Sequence, residues 1–188
     1  MPERLLDEVT DIELVERALL EDKIAQRELV IRYQGPIYAY IYRWMRNRAD
    51  AEDLTQDVFI KVFRALGTYS RQSSFRAWIY RIARNRVIDF LRRKKPQSVD
   101  IEVDELEDIE DGCTPSEIYE STSQSQKLRD AVDSLPPLYR EVLLLRHRDE
   151  LSYEEIVETT GLVLGTVKAR LHRARNILKQ RLDEVKHL

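Results

Sequence analysis

Residues 151–175, LSYEEIVETTGLVLGTVKARLHRAR, decide the fold of the C-terminal part of the chain. Ser152 and Glu155 have the spacing of a capping box, which marks the start of a helix. Gly161 can supply the left-handed backbone that a tight turn between two helices requires. Thr166 is a plausible N-cap for a second helix. The stretch therefore predicts a helix-turn-helix.

The second helix of this motif has an apolar side and a basic side. Val167, Leu171 and Ile177 are expected to pack inward, because their spacing follows the helical period. In a helix-turn-helix the second helix enters the major groove of DNA, where arginine and lysine favour guanine. A plain antiparallel helix pair with a solvated basic face is the alternative. So many basic residues directly after a capped turn favour DNA binding. The side chains on the basic side are Lys168, Arg170, His172, Arg173 and Arg175.

Helical periodicity continues through most of the remaining chain, and the 5 glycines are few for 188 residues. Pro36 predicts a kink or a break in one helix. Asp50 is the expected N-cap of the next, with Asp53 as its capping-box partner. The fold class is all-α, with two small helical domains joined by a flexible acidic linker. The helices are expected at about 11–21, 25–46, 49–66, 74–94, 127–135, 138–148, 152–160 and 166–185.

The net charge of −3 conceals a strong division of charge along the chain. Residues 1–26 carry a net −5, residues 27–96 a net +10, residues 97–126 a net −10 and residues 127–188 a net +2. The acidic block also lacks helical periodicity and contains Ser, Thr, Gly and Pro, a composition typical of a flexible linker. We therefore expect a domain over 1–96, a linker over 97–126 and a second domain over 127–188.

Several classes of function are disfavoured. Cys113 is the only cysteine, so an intramolecular disulfide and a cysteine-rich zinc site are ruled out. Together with His147, His172 and His187 it matches no nucleophile–base or ligand spacing, so no catalytic residue, metal or cofactor is expected. The acidic N-terminus lacks the basic and apolar regions of a signal peptide. No apolar run approaches the roughly 20 residues of a membrane span, so we expect a cytoplasmic protein without membrane insertion.

The helix expected over 74–94 combines aromatic and apolar residues with a dense series of arginines. Aromatic rings interleaved with cations suit single-stranded nucleic acid, because bases stack on the rings and the cations follow the backbone. The alternative is that Phe75 and Trp78 belong to the core and the arginines form a solvated face. For Trp78 the core position is favoured. For the arginines, nucleic-acid binding is favoured.

Five sequence motifs are distributed along both expected domains. They are DAEDLTQDVFIKVFRAL (50–66), FRAWIYRIARN (75–85), LPP (135–137), LSYEEI (151–156) and GTVKARLHRAR (165–175). Together they resemble an extracytoplasmic-function (group IV) sigma factor of the sigma-70 family. The resemblance covers about residues 10–185 and spans both expected domains.

The resemblance implies a σ2 domain, a linker and a σ4 domain in a non-enzymatic promoter-recognition subunit. Its partners would be the RNA polymerase core, through the β′ clamp helices and the β flap, promoter DNA, and an anti-sigma factor. An ordinary role for acidic residues at a helix start is dipole stabilisation, and both roles can hold together. The residues implied in binding the clamp helices are Asp53, Gln56, Asp57, Ile60 and Phe63.

The resemblance also implies that a base of the melted minus-10 element is extruded from the non-template strand and held in a pocket. Extrusion costs a few kcal/mol of unstacking, which contacts in the pocket must offset. The loop residues of this pocket would be Tyr69, Ser70, Arg71, Gln72 and Ser73, and the helix residues Arg81, Arg84 and Asn85. The residues expected to hold phosphates are Arg76, Arg92 and Arg93.

In the C-terminal domain the resemblance implies readout of the minus-35 element. The side chains for base readout would be Lys168, Ala169, His172 and Arg173, where Ala169 offers only an apolar contact such as with a thymine methyl. Those for backbone contacts would be Thr166, Arg170 and Arg175.

Two questions stay open at the level of the sequence. The acidic linker is either a solvated tether or a nucleic-acid mimic that enters a basic channel of the polymerase, and its charge could damp DNA binding by the free protein. The whole chain could instead be a stand-alone helix-turn-helix repressor or activator, whose first domain senses a ligand or dimerises.

Overall fold

The computed structural model describes residues 9–94 and 122–186. Side chains are described for residues 9–94 and 127–182. Within these ranges every regular element is helical, which confirms the all-α fold class. Four α-helices belong to an N-terminal compact unit, and most residues from Thr122 onward belong to a C-terminal one. The helices are α1 (Asp11–Leu19), α2 (Lys23–Met45), α3 (Arg48–Ala65), α4 (Phe75–Lys94), α5 (Thr122–Asp133), α6 (Pro137–His147), α7 (Tyr153–Thr160) and α8 (Leu164–Lys186), with one 3-10 turn at Leu66–Thr68.

The N-terminal unit is built around α2. This helix packs against α1, α3 and α4, and α3 also packs against α4. Leu14, Ile37, Val58 and Ile79, one from each helix, are fully buried. Burial of a side chain of this size contributes about 1.5–3 kcal/mol, so one continuous apolar core holds the four helices together.

Two helix starts in this unit show how local sequence sets the boundaries. At α1, Thr10 and Glu13 form a full capping box: the Thr10 amide donates to Glu13 Oε2 at 2.8 Å, and the Glu13 amide donates to Thr10 Oγ1 at 3.3 Å. At α3 the cap is Asn47, whose Oδ1 accepts from the Asp50 amide at 3.1 Å. The prediction of Asp50 as N-cap is therefore wrong, because Asn47 offers an amide oxygen three residues earlier. Asp50 lies in the first turn, where its charge favours the helix dipole.

Pro36 does not interrupt α2, which runs unbroken from Lys23 to Met45. Proline removes the hydrogen bond that the carbonyl of Arg32 would accept from residue 36. Gln34, Gly35 and Pro36 are all exposed, so this site of the missing bond is near solvent. The expectation of a break is wrong, and a kink within a continuous helix stays a prediction.

The C-terminal unit centres on α8, against which α6 and α5 pack. Pro137 occupies the first turn of α6, where its missing amide costs nothing. α5 already begins at Thr122, inside the segment expected to be linker, rather than near Lys127. α8 begins at Leu164, since the carbonyl of Val163 accepts from the Val167 amide at 3.1 Å. The prediction of Thr166 as its N-cap is wrong, because Thr166 lies inside the first turn.

None of the helices in the described ranges combines the length and apolar character needed to cross a membrane. Residues 95–121 lie outside the described residues. They include most of the expected acidic linker and Cys113.

Candidate nucleic-acid interface

One face of α4 carries exposed polar side chains. Arg81, Asn85 and Arg92 are exposed, and their separations of four and seven residues place them on one side of the helix. Arg84 shares this side and is half-buried, and Arg93 is exposed beside it. The structure therefore brings together five of the side chains predicted for nucleic-acid binding.

Arg76 lies apart from this group. It is separated by four, seven and eleven residues from Tyr80, Ala83 and Val87, all buried, so it lies on the core-facing side of α4. Its positive charge acts on the hydroxyl of Tyr33. A phosphate contact by Arg76 stays a prediction, but the structure does not group it with the exposed arginines.

The loop before α4 has its ends tied together. The hydroxyl of Tyr69 donates to the carbonyl of Ser73 at 2.6 Å, and the Ser73 amide and hydroxyl both donate to the carbonyl of Ser70, at 3.1 Å and 3.0 Å. The hydroxyl of Ser74 accepts from the Ala77 amide at 3.3 Å and so caps α4. Ser70, Arg71 and Gln72 are exposed at the middle of the loop.

An aromatic cluster of Tyr33, Tyr69, Phe75 and Trp78 packs against this loop. The Tyr69 ring lies edge-on to Phe75, with centroids 5.4 Å apart, and 5.5 Å from the ring of Trp78. Phe75 in turn contacts Tyr33 of α2 edge-on at 5.4 Å. Phe75 is buried, whereas Trp78, for which the sequence favoured a core position, is half-buried. Burial raises the pKa of Tyr69 above its ordinary value, so its hydroxyl stays a proton donor.

A second polar surface runs along α3. Asp53, Gln56, Asp57 and Ile60 are all exposed, and Phe63 is half-buried. Their spacing of three or four residues places them on one stripe of the helix. Ile60 is 51% exposed, a high value for a large apolar side chain. The five side chains predicted to bind polymerase thus share one accessible surface.

Two ion pairs join α3 to α4. Arg86 pairs with Asp57, and Lys94 pairs with Asp50 at 3.0 Å between Nζ and Oδ2. Lys94 also lies over the ring of Phe90, 5.2 Å from its centroid. Sequence analysis did not identify these pairings, because the partners are 29 and 44 residues apart in sequence.

The predicted helix-turn-helix is present as α7 and α8. Ser152 and Glu155 form the expected capping box, with the Ser152 amide donating to Glu155 Oε2 at 2.8 Å and the Glu155 amide to Ser152 Oγ at 3.1 Å. Gly161 closes α7 in the left-handed conformation, with φ of 74°. Its amide donates to the carbonyl of Val157 at 2.8 Å. These three sequence predictions are confirmed.

The outer side of α8 carries most of the side chains predicted to contact the minus-35 element. Lys168 is exposed, and Thr166, His172, Arg173 and Arg175 are half-buried. Arg173 donates to the hydroxyl of Tyr139 on α6 at 3.4 Å, and His172 contacts Asn176 one turn further along at 3.3 Å. Sequence analysis missed Tyr139 as a neighbour, because no local pattern links α6 to this helix.

Two other residues predicted to contact the minus-35 element are buried. Arg170 is only 2% exposed, and its spacing from Val167, Leu171 and Ala174 places it with the core-facing residues of α8. The prediction that Arg170 contacts the DNA backbone is therefore wrong for this conformation, since a guanidinium in the interior cannot reach a phosphate. Ala169 is likewise buried, only 4% exposed, and its contact with a thymine methyl stays a prediction.

The C-terminal end of α6 lies beside the recognition helix. Arg146 donates to the carbonyl of Leu151 at 2.9 Å and lies over the ring of Tyr153, 5.1 Å from its centroid. Partial burial, and then the charges of Arg175 and Arg146, lower the pKa of His147 below 6.5. His147 is therefore mainly neutral near pH 7 in the folded protein.

In the described part of the chain, no cluster of histidine, cysteine, aspartate and glutamate side chains could hold a metal ion. Cys113 and His187 lie outside that part. The expectation of no metal and no cofactor stays a prediction.

The fold and the exposed surfaces define a class of protein: a two-module, all-helical DNA-binding protein with a helix-turn-helix in its second module. Residues 29–97 match the family described as Sigma-70 region 2. Residues 125–178 match the family described as Sigma-70, region 4.

Full-length relatives give the same result. The ECF RNA polymerase sigma factor SigW of Bacillus subtilis (strain 168) is 35% identical over 172 residues, covering 87% of this chain and 92% of the relative. The ECF RNA polymerase sigma-E factor of Escherichia coli (strain K12) is 36% identical over 185 residues, covering 94% and 96%. The chain belongs to the extracytoplasmic-function (ECF) RNA polymerase sigma factors. It is a transcription initiation factor, not an enzyme.

Two solved structures resemble the chain. One is CnrH in complex with the cytosolic domain of CnrY, with a TM-score of 0.66 and 25% identity, covering 93% of this chain and 97% of that one. The other is the sigma factor RpoE in complex with the anti-sigma factor NepR from Bartonella quintana, with a TM-score of 0.62 and 24% identity, covering 84% and 96%. The second likeness concerns the fold alone.

Proposed function

We propose that the two modules of this sigma factor divide promoter recognition between them. A σ2 domain over residues 1–96 captures the melted minus-10 strand and binds core polymerase. A linker over 97–126 leads to a σ4 domain over 127–188, which reads the minus-35 duplex. The single observation that carries this proposal is the grouping of Arg81, Asn85 and Arg92 on one exposed face of α4, beside a loop with tied ends.

For the minus-10 strand, the exposed face of α4 supplies cations and the loop supplies a pocket. Arg81, Arg92 and Arg93 are accessible to phosphates, and Asn85 can both donate to and accept from a base edge. Capturing a base requires a pocket that costs little to organise, because unstacking already costs a few kcal/mol. The closed conformation of the Tyr69–Ser73 loop supports this role, since its backbone is ordered before the strand arrives.

For the minus-35 element, α8 is the recognition helix. Lys168 is exposed, and Arg173 donates to the Tyr139 hydroxyl, which orients its guanidinium. Arg173 is suited to a bidentate contact with guanine, and Lys168 to a guanine or a phosphate. Thr166 and Arg175 would contact the backbone, while Arg170 has a structural role inside the module.

For core polymerase, the exposed stripe of α3 is the proposed contact with the β′ clamp helices. Ile60 offers an apolar centre, and Asp53, Gln56 and Asp57 surround it with polar groups. An apolar centre with a polar rim is the usual anatomy of a protein–protein interface. Replacing Ile60 by Asp should abolish assembly with core, whereas Gln180→Ala, at an exposed amide near the end of α8, should not.

Regulation by an anti-sigma factor and a cytoplasmic location complete the proposal. An anti-sigma partner follows from the similarity to ECF sigma factors, and RpoE of Bartonella quintana, which shares the fold, is itself bound to the anti-sigma factor NepR. The acidic linker would restrain free sigma, because ten acidic residues without a basic one lie between two DNA-facing modules. Deleting residues 100–111 should then raise the affinity of the free protein for DNA, and an unchanged affinity would contradict the restraint.

The decisive experiment is run-off transcription with core polymerase on a genomic promoter library. A sigma factor with these interfaces should start transcription at a defined set of sites that share two elements. Asn85→Ala should reduce opening of the minus-10 region, read by 2-aminopurine fluorescence, without reducing assembly with core. The matched control is Gln180→Ala. Tight duplex binding by the free protein with no transcription and no core affinity would instead indicate a stand-alone regulator.

A further inference from the structure

The first helix contacts the capture loop directly. Glu16 of α1 pairs with Arg71 at the middle of the loop, with 2.8 Å between Oε1 and the guanidinium nitrogen. Both side chains are partly exposed, 43% for Glu16 and 68% for Arg71. The pair therefore lies at the surface where a nucleic-acid strand would approach Arg71.

Glu16 is presented from a firmly held helix. The capping box of Thr10 and Glu13 fixes the start of α1, and Asp11 binds both Arg32, at 3.1 Å, and the hydroxyl of Tyr33. On its inner side α1 buries Leu14, Val15 and Ala18 against the rest of the module. The backbone position of Glu16 on α1 is thus set by the fold.

Arg71, by contrast, belongs to a short loop whose ends are fixed and whose middle is exposed. Tyr69 and Ser73 close the two ends, and the aromatic rings of Phe75 and Trp78 support them. The ion pair with Glu16 directs the guanidinium of Arg71 toward α1. A strand that approaches Arg71 therefore meets the carboxylate of Glu16 beside the guanidinium.

We infer that Glu16 is a specificity-determining residue for strand capture, acting through Arg71. This inference rests on the proposed function of the loop. A strand that fits the pocket replaces Glu16 with well-aligned contacts and also benefits from the preset loop. A strand that does not fit gains only a general phosphate contact, which Glu16 opposes. Glu16 thus weakens mismatched binding more than matched binding.

The size of the effect follows from the exposure of the pair. Exposed ion pairs make small contributions, so we expect Glu16→Gln to raise the affinity for mismatched strands about twofold to fivefold. The affinity for the matched strand should change less than about twofold, because the freed Arg71 and the loosened loop have opposite effects. The ratio of the affinity for the matched strand to the affinity for the mismatched strand should therefore fall.

The test uses holoenzyme assembled from core polymerase and the full-length chain. Its probes are fluorescent single-stranded oligonucleotides: the minus-10 non-template sequence found by run-off mapping, and a scrambled strand of the same composition. The variants are Glu16→Gln, Arg71→Gln and the double variant. The control is Glu21→Gln, which removes the same charge from an exposed residue between α1 and α2.

Loss of discrimination in Glu16→Gln, with no further effect in the Arg71→Gln background and none in Glu21→Gln, supports the inference. An unchanged ratio of affinities in Glu16→Gln overturns it. A ratio that falls equally in the Arg71→Gln background also overturns it, because the charge would then act without Arg71. If the wild-type holoenzyme itself does not distinguish the two strands, the proposed function of the loop fails, which is a different result.

Discussion

The two modules hold their DNA-facing cations in different ways. In the N-terminal module Arg71, Arg86 and Lys94 are paired with acidic residues of α1 and α3. In the C-terminal module Arg173 contacts the neutral hydroxyl of Tyr139, and His172 contacts the neutral amide of Asn176. Among the N-terminal residues proposed to bind the strand, Arg71 pairs with the carboxylate of Glu16, whereas Arg81, Arg92 and Arg93 are exposed. Arg173 and His172 would exchange these neutral partners for DNA.

This difference fits the nucleic acid that each module is proposed to bind. Melted strands are flexible and carry charges that attract any basic surface, so intramolecular carboxylates help to limit indiscriminate binding. A recognition helix gains its selectivity from the donor and acceptor pattern of the major groove and needs its side chains available. Substitutions in the two modules test this contrast.

The largest effect is expected at Arg170, the buried arginine of the recognition helix. Replacing it with alanine should lower the free energy of unfolding by about 3 kcal/mol or more, because it removes the packing of a side chain that is only 2% exposed and leaves a cavity. Urea unfolding of the full-length chain measures this loss. Lys168→Ala, two positions away and exposed, should stay within about 0.5 kcal/mol of wild type. Equal stability of the two variants would show that Arg170 has no structural role.

Substitution of Arg173 should weaken DNA binding and leave the free energy of unfolding almost unchanged, the opposite of the effect at Arg170. Arg173→Ala is expected to weaken binding of the minus-35 duplex by holoenzyme by about 1–3 kcal/mol and to relax the preference at one base pair. Its stability should change little, because the side chain is half-buried and its hydrogen bond to the neutral Tyr139 hydroxyl is long, at 3.4 Å. Fluorescence anisotropy at fixed salt, with wild-type and single-base-changed duplexes, gives both quantities. A uniform loss over all duplexes would reassign Arg173 to the phosphate backbone.

The two capping boxes provide a matched test within one chain. Thr10→Ala and Ser152→Ala should each reduce stability by about 1 kcal/mol, since each leaves helix amides without an acceptor. Thr166→Ala is the control, because Thr166 lies inside α8 and does not cap it. Thermal unfolding measures all three. If Thr166→Ala proved as harmful as Ser152→Ala, the start of α8 at Leu164 would be contradicted.

Local sequence predicted the parts of this structure that depend on neighbouring residues. The capping box at Ser152, the turn at Gly161 and the extent of α4 are confirmed, because hydrogen bonds over three or four residues determine them. The Asn47 cap was missed, although an amide three residues before Asp50 was visible in the sequence. Asn47 and Asp50 are both residue types that can cap a helix, and only the backbone conformation decides between them.

The failures at Arg170 and in the ion pairs have a different cause. Arg170 follows Val167 by three residues and precedes Ala174 by four, so the period alone placed it inward, but its charge suggested the surface. The pairs of Glu16 with Arg71 and of Asp57 with Arg86 depend on the rotation and packing of whole helices. No local pattern contains that information, so they emerge only from the tertiary structure.

The smallest expected effect concerns the pH response of the C-terminal module. Burial and the charges of Arg175 and Arg146 hold the pKa of His147 below 6.5. The unfolded chain therefore binds a proton more readily, and the stabilising contribution is complete above pH 6.5 and is lost as the pH falls through the folded pKa. NMR titration of the imidazole should give a pKa below 6.5, and His147→Gln should remove part of the stability loss in mild acid.

The pKa of His147 can also show which module binds which form of DNA. Arg175 is a proposed backbone contact, so duplex DNA should neutralise its effect and raise the pKa of His147, as Arg175→Gln should in the free protein. A single-stranded minus-10 oligonucleotide, which the N-terminal module should bind, is the control and should leave the titration unchanged. A His147 pKa at or above 6.5 in the free protein would contradict the electrostatic account. A shift with the single strand would contradict the division of labour, because it would bring that strand to the recognition helix.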